Sequence, residues 1–116
     1  MENIIFQSRD ELLRLTADTV VCFKADGNYT TVVLANGAKY VVCVNLGQVE
    51  QGLACQLGEK AARFLRVGKS HIINRAFVQH LNVPKQRIIL SDGRSRSWAV
   101  EVSREAIKNL KSLILQ

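Results

Sequence analysis

Two histidines, three cysteines and one proline among 116 residues leave little material for a metal centre, a disulfide framework or a proline-rich arm. Cys22, Cys43 and Cys55 are an odd number without CxxC spacing, so they read as buried small hydrophobes in a reducing compartment. His71 and His80 have no carboxylate at metal-binding spacing, and no glycine-rich phosphate loop occurs. No metal or other cofactor is therefore expected. Cysteine–histidine catalysis draws its partners from distant segments, so spacing alone does not dismiss a thiol enzyme. The apolar surroundings of all three thiols favour packing instead, and no enzymatic activity is expected.

Long apolar runs are missing as well. No stretch approaches the roughly 18 residues of a membrane span, and the opening MENIIFQSRDELLR lacks the basic and apolar regions of a secretory signal. A cytoplasmic protein with no membrane partner is the expectation. Repeats, linkers and low-complexity tracts are absent too, so residues 1–116 read as one domain with a single hydrophobic core.

What the chain does have is charge, unevenly placed. The formal charge is +6, and twelve of the sixteen Lys and Arg fall after residue 59, whereas the first half is net acidic. Such asymmetry suits a surface that meets a polyanion, and equally a solvated basic face. Charge alone does not choose between them.

Strand signals dominate the pattern. Ile4–Ser8 and Glu11–Leu15 flank a polar turn at Arg9-Asp10, and Val20–Ala25 is β-branched and apolar. Asp26-Gly27-Asn28 then supplies a turn before the strand Tyr29–Leu34. Asn36-Gly37 predicts a type I′ hairpin, with positive φ at both residues, returning through Lys39–Val44. Asn45 and Gln48 stand at capping-box spacing before an amphipathic helix over 46–56, with Leu46, Val49, Leu53 and Leu57 on one face. Phe64–Val67 reads as a strand with Leu65 and Val67 facing the core, Ser70–Ile73 as a turn or short helix, and Phe77–Val83 as a strand ended by Pro84. Arg87–Leu90 and Arg96–Val100 flank an Asp-Gly hairpin turn at Ser91–Arg94. Ser103 caps a last helix whose buried stripe is Ile107, Leu110, Leu113 and Ile114. The expected fold is mainly β with two short helices.

Three places could meet an anion. In Phe64–Arg75 the polar break Gly68-Lys69-Ser70-His71 separates two apolar runs, so Lys69 projects from a fixed support and Ser70 can bond a phosphate. Arg66 and Arg75 bracket it; for Arg66 a structural salt bridge is as good a reading as contact. Arg104 follows the cap Ser103, in the first helical turn, where the macrodipole disfavours a cation and free N–H groups favour an anion. Pairing with Glu101 or Glu105 is the bland alternative. Asn28 can read an adenine edge, but it is also a turn former that tolerates positive φ, and on its own the turn reading prevails.

The order of these features resembles the LytTR family of bacterial DNA-binding domains over nearly the whole chain. The resemblance rests on VVCFKADGNYTTVVL, on FLRVGKSHIINRAFV and on RIILSDGRSRSWAVEVSREAIKNL. The middle block is similar to the family core Phe-x-Arg-x-His-(Arg/Lys)-Ser-(Tyr/Phe)-Ile-Val-Asn. The resemblance implies an elongated domain of about ten strands in small sheets, and loops on one long side that enter successive major grooves of double-stranded DNA. It places DNA contacts at Lys69, at Arg104, and at Asn28 with Tyr29 beside it; Ser70, Arg66 and Arg94 complete the candidate set. It also implies a transcription regulator of two-component signalling, a dimer on paired repeats, and a receiver or sensor partner outside this chain. The family's His is Gly68 here, which removes a polar contact and predicts a more flexible loop. Against this reading stand a protein-interaction domain with a basic surface and an RNA or single-strand module. The latter needs exposed aromatics, for which Tyr29, Tyr40 and Trp98 are the candidates.

Overall fold

The chain folds into ten antiparallel-paired strands and two α-helices, and the computed structural model describes residues 2–116. In chain order the elements are β1 (Asn3–Gln7), β2 (Leu12–Thr16), β3 (Val20–Asp26), β4 (Tyr29–Leu34), β5 (Lys39–Val42), α1 (Leu46–Leu57), β6 (Phe64–Val67), β7 (His71–Asn74), β8 (Val78–Asn82), β9 (Arg87–Ser91), β10 (Ser97–Glu101) and α2 (Arg104–Ile114). They form three sheets, β1-β2, β5-β4-β3-β7-β6 and β10-β9-β8. The body is elongated, 44 × 28 × 26 Å.

The five-stranded sheet is the centre, and it is covered on both faces. One face of the sheet offers Phe23, Val32, Val42, Phe64 and Ile72 to a layer made by the β1–β2 hairpin and α1. The other offers Cys22, Val33, Val67 and Ile73 to the three-stranded sheet and to Ile107 and Leu110 of α2. The apolar run of β3 is what a strand buried on both sides requires. Phe23 sits at the middle of the first layer, with the rings of Phe6 and Phe64 edge-on at 6.2 and 5.7 Å.

Local chemistry explains the joins. Asn45 and Gln48 make the expected capping box, each side chain bonding the other's backbone N–H at 2.9 and 2.8 Å. Leu46, Val49, Leu53 and Leu57 of α1 are all buried. Buried Asn74 ends β7: its amide donates to the Val20 carbonyl at 2.9 Å and its oxygen accepts from the Ala76 N–H at 3.1 Å. That ties the end of β7 to the start of β3.

Several local expectations change. Of the expected turn or helix at Ser70–Ile73 only Ser70 is in a turn, because His71–Asn74 is a strand with all four residues buried. A buried strand of that length shows no alternation, which is why its period was unreadable. Arg66 shares a face with Phe64, and both faces of β6 bury apolar side chains. The β3–β4 turn places positive φ on Gly27 and not on Asn28, the pattern of a type II′ turn between paired Asp26 and Tyr29. Asn36-Gly37 is not a type I′ turn either. Gly37 alone has positive φ, its N–H bonds the Leu34 carbonyl at 2.9 Å, and the loop closes at Ala38. The strand after it stops at Val42, short of Val44, and the strand expected over Phe77–Val83 spans Val78–Asn82. The last hairpin has a longer loop whose Asp92 carboxylate accepts from the N–H groups of Arg94 and Arg96 at 2.8 and 3.1 Å. These backbone donors hold the Asp92 carboxyl below the usual carboxylate range. Cys22 is buried as expected, but Cys43 and Cys55 are exposed, and so is Leu113. Cys43 lies just past the end of β5, and Leu113 flanks the buried stripe of Ile107 and Leu110 in the last turn of α2.

Phe64 closes one end of the first layer. Phe64→Ala should cost about 3–5 kcal/mol through the lost transfer energy and the cavity left behind. Urea unfolding checks this, and an unchanged midpoint would refute the packing role.

Candidate nucleic-acid interface

The loop between β6 and β7 is three residues long, Gly68-Lys69-Ser70, between paired Val67 and His71. Gly68 takes φ +61, and a Cβ there would stand 3.8 Å from the Ala106 Cβ, so the loop abuts the first turn of α2. Arg66 reaches under the loop: its Nε donates to the Gly68 carbonyl at 3.2 Å and its Nη2 to the Lys69 carbonyl at 3.3 Å. The same guanidinium pairs through Nη1 with Glu50 of α1 at 3.1 Å. From the other side the Ala25 N–H donates to the Ser70 carbonyl at 2.8 Å. Three successive carbonyls are thus held, and the loop is better fixed than a glycine-led sequence suggests.

Sheet pairing sets the neighbours. Lys24 of β3 lies opposite His71, so the Gly27-Asn28 turn leaves the sheet at the same end as the 68–70 loop. Asn28 and Tyr29 are exposed there. Arg104 opens α2 beside the loop, after Ser103, whose Oγ accepts from the Ala106 N–H at 3.1 Å. Asn28, Tyr29, Lys69, Ser70 and Arg104 therefore gather on one rim of the molecule, with Arg66 behind it.

Arg94 does not join them. It lies in the β9–β10 loop, and the Arg96 side chain of that loop comes within 3.1 Å of the Cβ position of Gly37, in the β4–β5 turn. That turn is at the opposite end of β4 from Asn28.

The cations of the rim form no ion pairs. Among the described residues the ion pairs are Lys60–Glu2, Arg63–Asp18 and Arg66–Glu50, leaving Lys24, Lys69 and Arg104 exposed with no carboxylate partner. In particular, neither Glu101 nor Glu105 pairs with Arg104. Lys24 was missed in the sequence, although a lysine interrupting the apolar run VVCFKAD was its signal. Beside it the His71 ring is buried, 2.7 Å from the Ser70 hydroxyl, and its pKa is lowered first by burial and then by the Lys24 charge.

Little here suits covalent or metal chemistry. Burial pushes the Cys22 thiol up to about 11, away from the reactive thiolate. Among the described residues no group of His, Cys, Asp and Glu is placed to hold a metal ion, and no helix is long and apolar enough to cross a membrane.

Comparison with known proteins decides the family. The model of the LytTr DNA-binding domain matches residues 10–115. The chain belongs to the LytTR family. Its fold is similar to the solved LytTr DNA-binding domain of a methyl-accepting/DNA response regulator from Bacillus cereus, with a TM-score of 0.67 and 16% identity. That match covers 98% of this chain and 97% of the other. Among curated proteins nothing matches. Membership makes this a domain of a DNA-binding family, not of a family of enzymes, and the mainly β architecture in three small sheets is the family's.

A histidine held neutral stabilises the fold only where its unfolded counterpart is also neutral. Because the folded pKa lies below the ordinary 6.5, the unfolded chain binds more protons near and below that pH. Stability should be fully present above pH 6.5 and fall as the pH drops from there through the lowered folded pKa. His71→Gln should flatten that segment of a urea-midpoint profile; an unchanged slope would refute it.

Proposed function

We propose that residues 1–116 act as one module that binds double-stranded DNA sequence-specifically in a bacterial transcription regulator. The observation that carries the reading is the rim itself, where Lys24, Lys69 and Arg104 stand without carboxylate partners beside the exposed Asn28 and Tyr29. Clustered cations supply phosphate binding, and a few side chains reaching base edges supply selection. Lys69 from the β6–β7 loop, Arg104 from the start of α2 and Asn28 from the β3–β4 turn are the proposed base-reading groups, entering successive major grooves. Ser70, Tyr29 and Lys24 serve the backbone alongside them. Arg94, at the far end of the sheet, is left to a flanking phosphate.

Arg104 suits the role for a further reason. A cation in the first turn of α2 costs a few tenths of a kcal/mol against the macrodipole, at roughly the low end of that effect. An arriving phosphate or guanine acceptor meets both the guanidinium and the free N–H groups.

A cytoplasmic setting, control by a receiver or sensor domain in two-component signalling, and dimer formation on paired repeats complete the proposal, by extension from the family. Stacking of single strands has less support. Tyr29 and Tyr40 are half-exposed, but the register puts them on opposite faces of the sheet, so they form no common platform.

The test is selection from random-centre duplexes, followed by fluorescence anisotropy on the enriched sequence at two salt concentrations. Lys69→Ala and Arg104→Ala should each weaken binding by about 1–3 kcal/mol and relax preference at one position. Lys24→Gln should weaken all sequences alike and lower the salt slope by about one. Absence of any enriched motif would move the reading to a protein partner.

A further inference from the structure

Arg66 is a poor candidate for direct contact because all three of its guanidinium nitrogens are engaged inside the protein. Nε and Nη2 serve two loop carbonyls, and Nη1 serves Glu50. Its side chain is 31% exposed, against 54% for that of Glu50, so the cation is the more covered partner. A phosphate pulling the guanidinium outward would take it from the loop it supports. Glu50 in turn is on α1, at the border of the buried stripe that Leu46, Val49 and Leu53 lock into the first core layer. A continuous path of bonds therefore runs from a rigid helix, through one carboxylate and one guanidinium, to the carbonyls on either side of the Lys69 Cα.

We propose that Glu50 and Arg66 are a positioning pair that holds the 68–70 loop in its DNA-binding shape, so that α1 sets the affinity of a contact it does not touch. The inference rests on the DNA reading above. Its physical basis is the ordering cost of association. A short loop led by a glycine loses conformational freedom when bound, and a loop already held loses less. A planar guanidinium serves two carbonyls and a carboxylate from one rigid fork of donors. A lysine at the same place offers one point charge at the end of a flexible stem.

The experiment uses the full chain and the duplex selected for it, with dissociation constants measured across a salt series for Arg66→Lys, Arg66→Gln and Glu50→Gln. Urea midpoints show that each variant is folded. Positioning predicts that Arg66→Lys, although it keeps the charge, weakens the selected duplex about tenfold and leaves the salt slope and random-duplex binding at parental values. Glu50→Gln gives the sharper sign. It removes a negative charge from a DNA-binding protein, so electrostatics alone predicts tighter binding, whereas loss of the clamp predicts weaker binding. Amide relaxation of Gly68 and Lys69 should show increased motion in both variants. Direct phosphate contact by Arg66 would instead appear as full rescue by lysine and a slope lowered by about one in Arg66→Gln, and that result overturns the proposal. Parental affinity in both Glu50→Gln and Arg66→Lys overturns the clamp alone. A parent without sequence preference overturns the DNA reading, and the clamp's purpose with it.

Discussion

Val20, Val21, Cys22 and Phe23 are all buried, so the first half of β3 has no solvated face and needs a separate layer on each side. Burying an apolar side chain of this size is worth about 1.5–3 kcal/mol, and that gain is available only if both layers form. The β1–β2 hairpin with α1 supplies one, and the three-stranded sheet with α2 supplies the other. Neither small sheet could bury its own apolar face alone. The order of elements in space follows from this demand. β3 also pairs with both β4 and β7, so two turns distant in sequence, at Gly27-Asn28 and at Gly68–Ser70, leave the sheet together.

Once these turns are neighbours, the chain's uneven charge becomes a local feature. Three cations far from the rim or behind it are neutralised, Lys60 by Glu2, Arg63 by Asp18 and Arg66 by Glu50. Exposed pairs of this kind add little to stability, and their effect is mostly to decide where positive potential remains. On the proposed edge it remains at Lys24, Lys69 and Arg104. The acidic first half of the sequence thus shapes the basic second half, because Glu2, Asp18 and Glu50 quench cations away from the proposed binding edge.

Much of this was legible in the sequence, and the failures have physical causes. Strand runs, both helix caps and the buried stripe of α1 were readable because period, capping chemistry and turn residues agree there. The middle block was readable too, as was the family. β7 was not, because its four residues are buried on both faces and leave no period to detect. Turn type failed at Asn36-Gly37, where the loop takes an extra residue before Ala38 and needs positive φ only at Gly37. The exposure of Cys43 and Cys55 depends on where β5 stops and how α1 is rotated, which local composition does not encode. Arg66 illustrates the limit best. Its two readings were equal in the sequence, and the salt bridge depends on Glu50, sixteen residues away on another element, whose placement no local pattern encodes.

A surface built from turns faces a difficulty that a helix in a groove does not, since isolated loops are the most mobile parts of a fold. Here each of the proposed reading groups stands on backbone tied by local bonds. Asn28 sits in a two-residue turn closed by the pairing of Asp26 with Tyr29. Lys69 rides on carbonyls held by Arg66 and Ala25. Arg104 opens a helix capped by Ser103. The spacing of the three is then a property of the sheet and its two covering layers, and most of their ordering cost is met when the protein folds. A rigid set of three points can discriminate between duplexes by fit, because a mismatched base edge meets a group that does not move to accommodate it. The same rigidity makes the rim sensitive to changes beneath it, which is why a carboxylate on α1 bears on what Lys69 can reach.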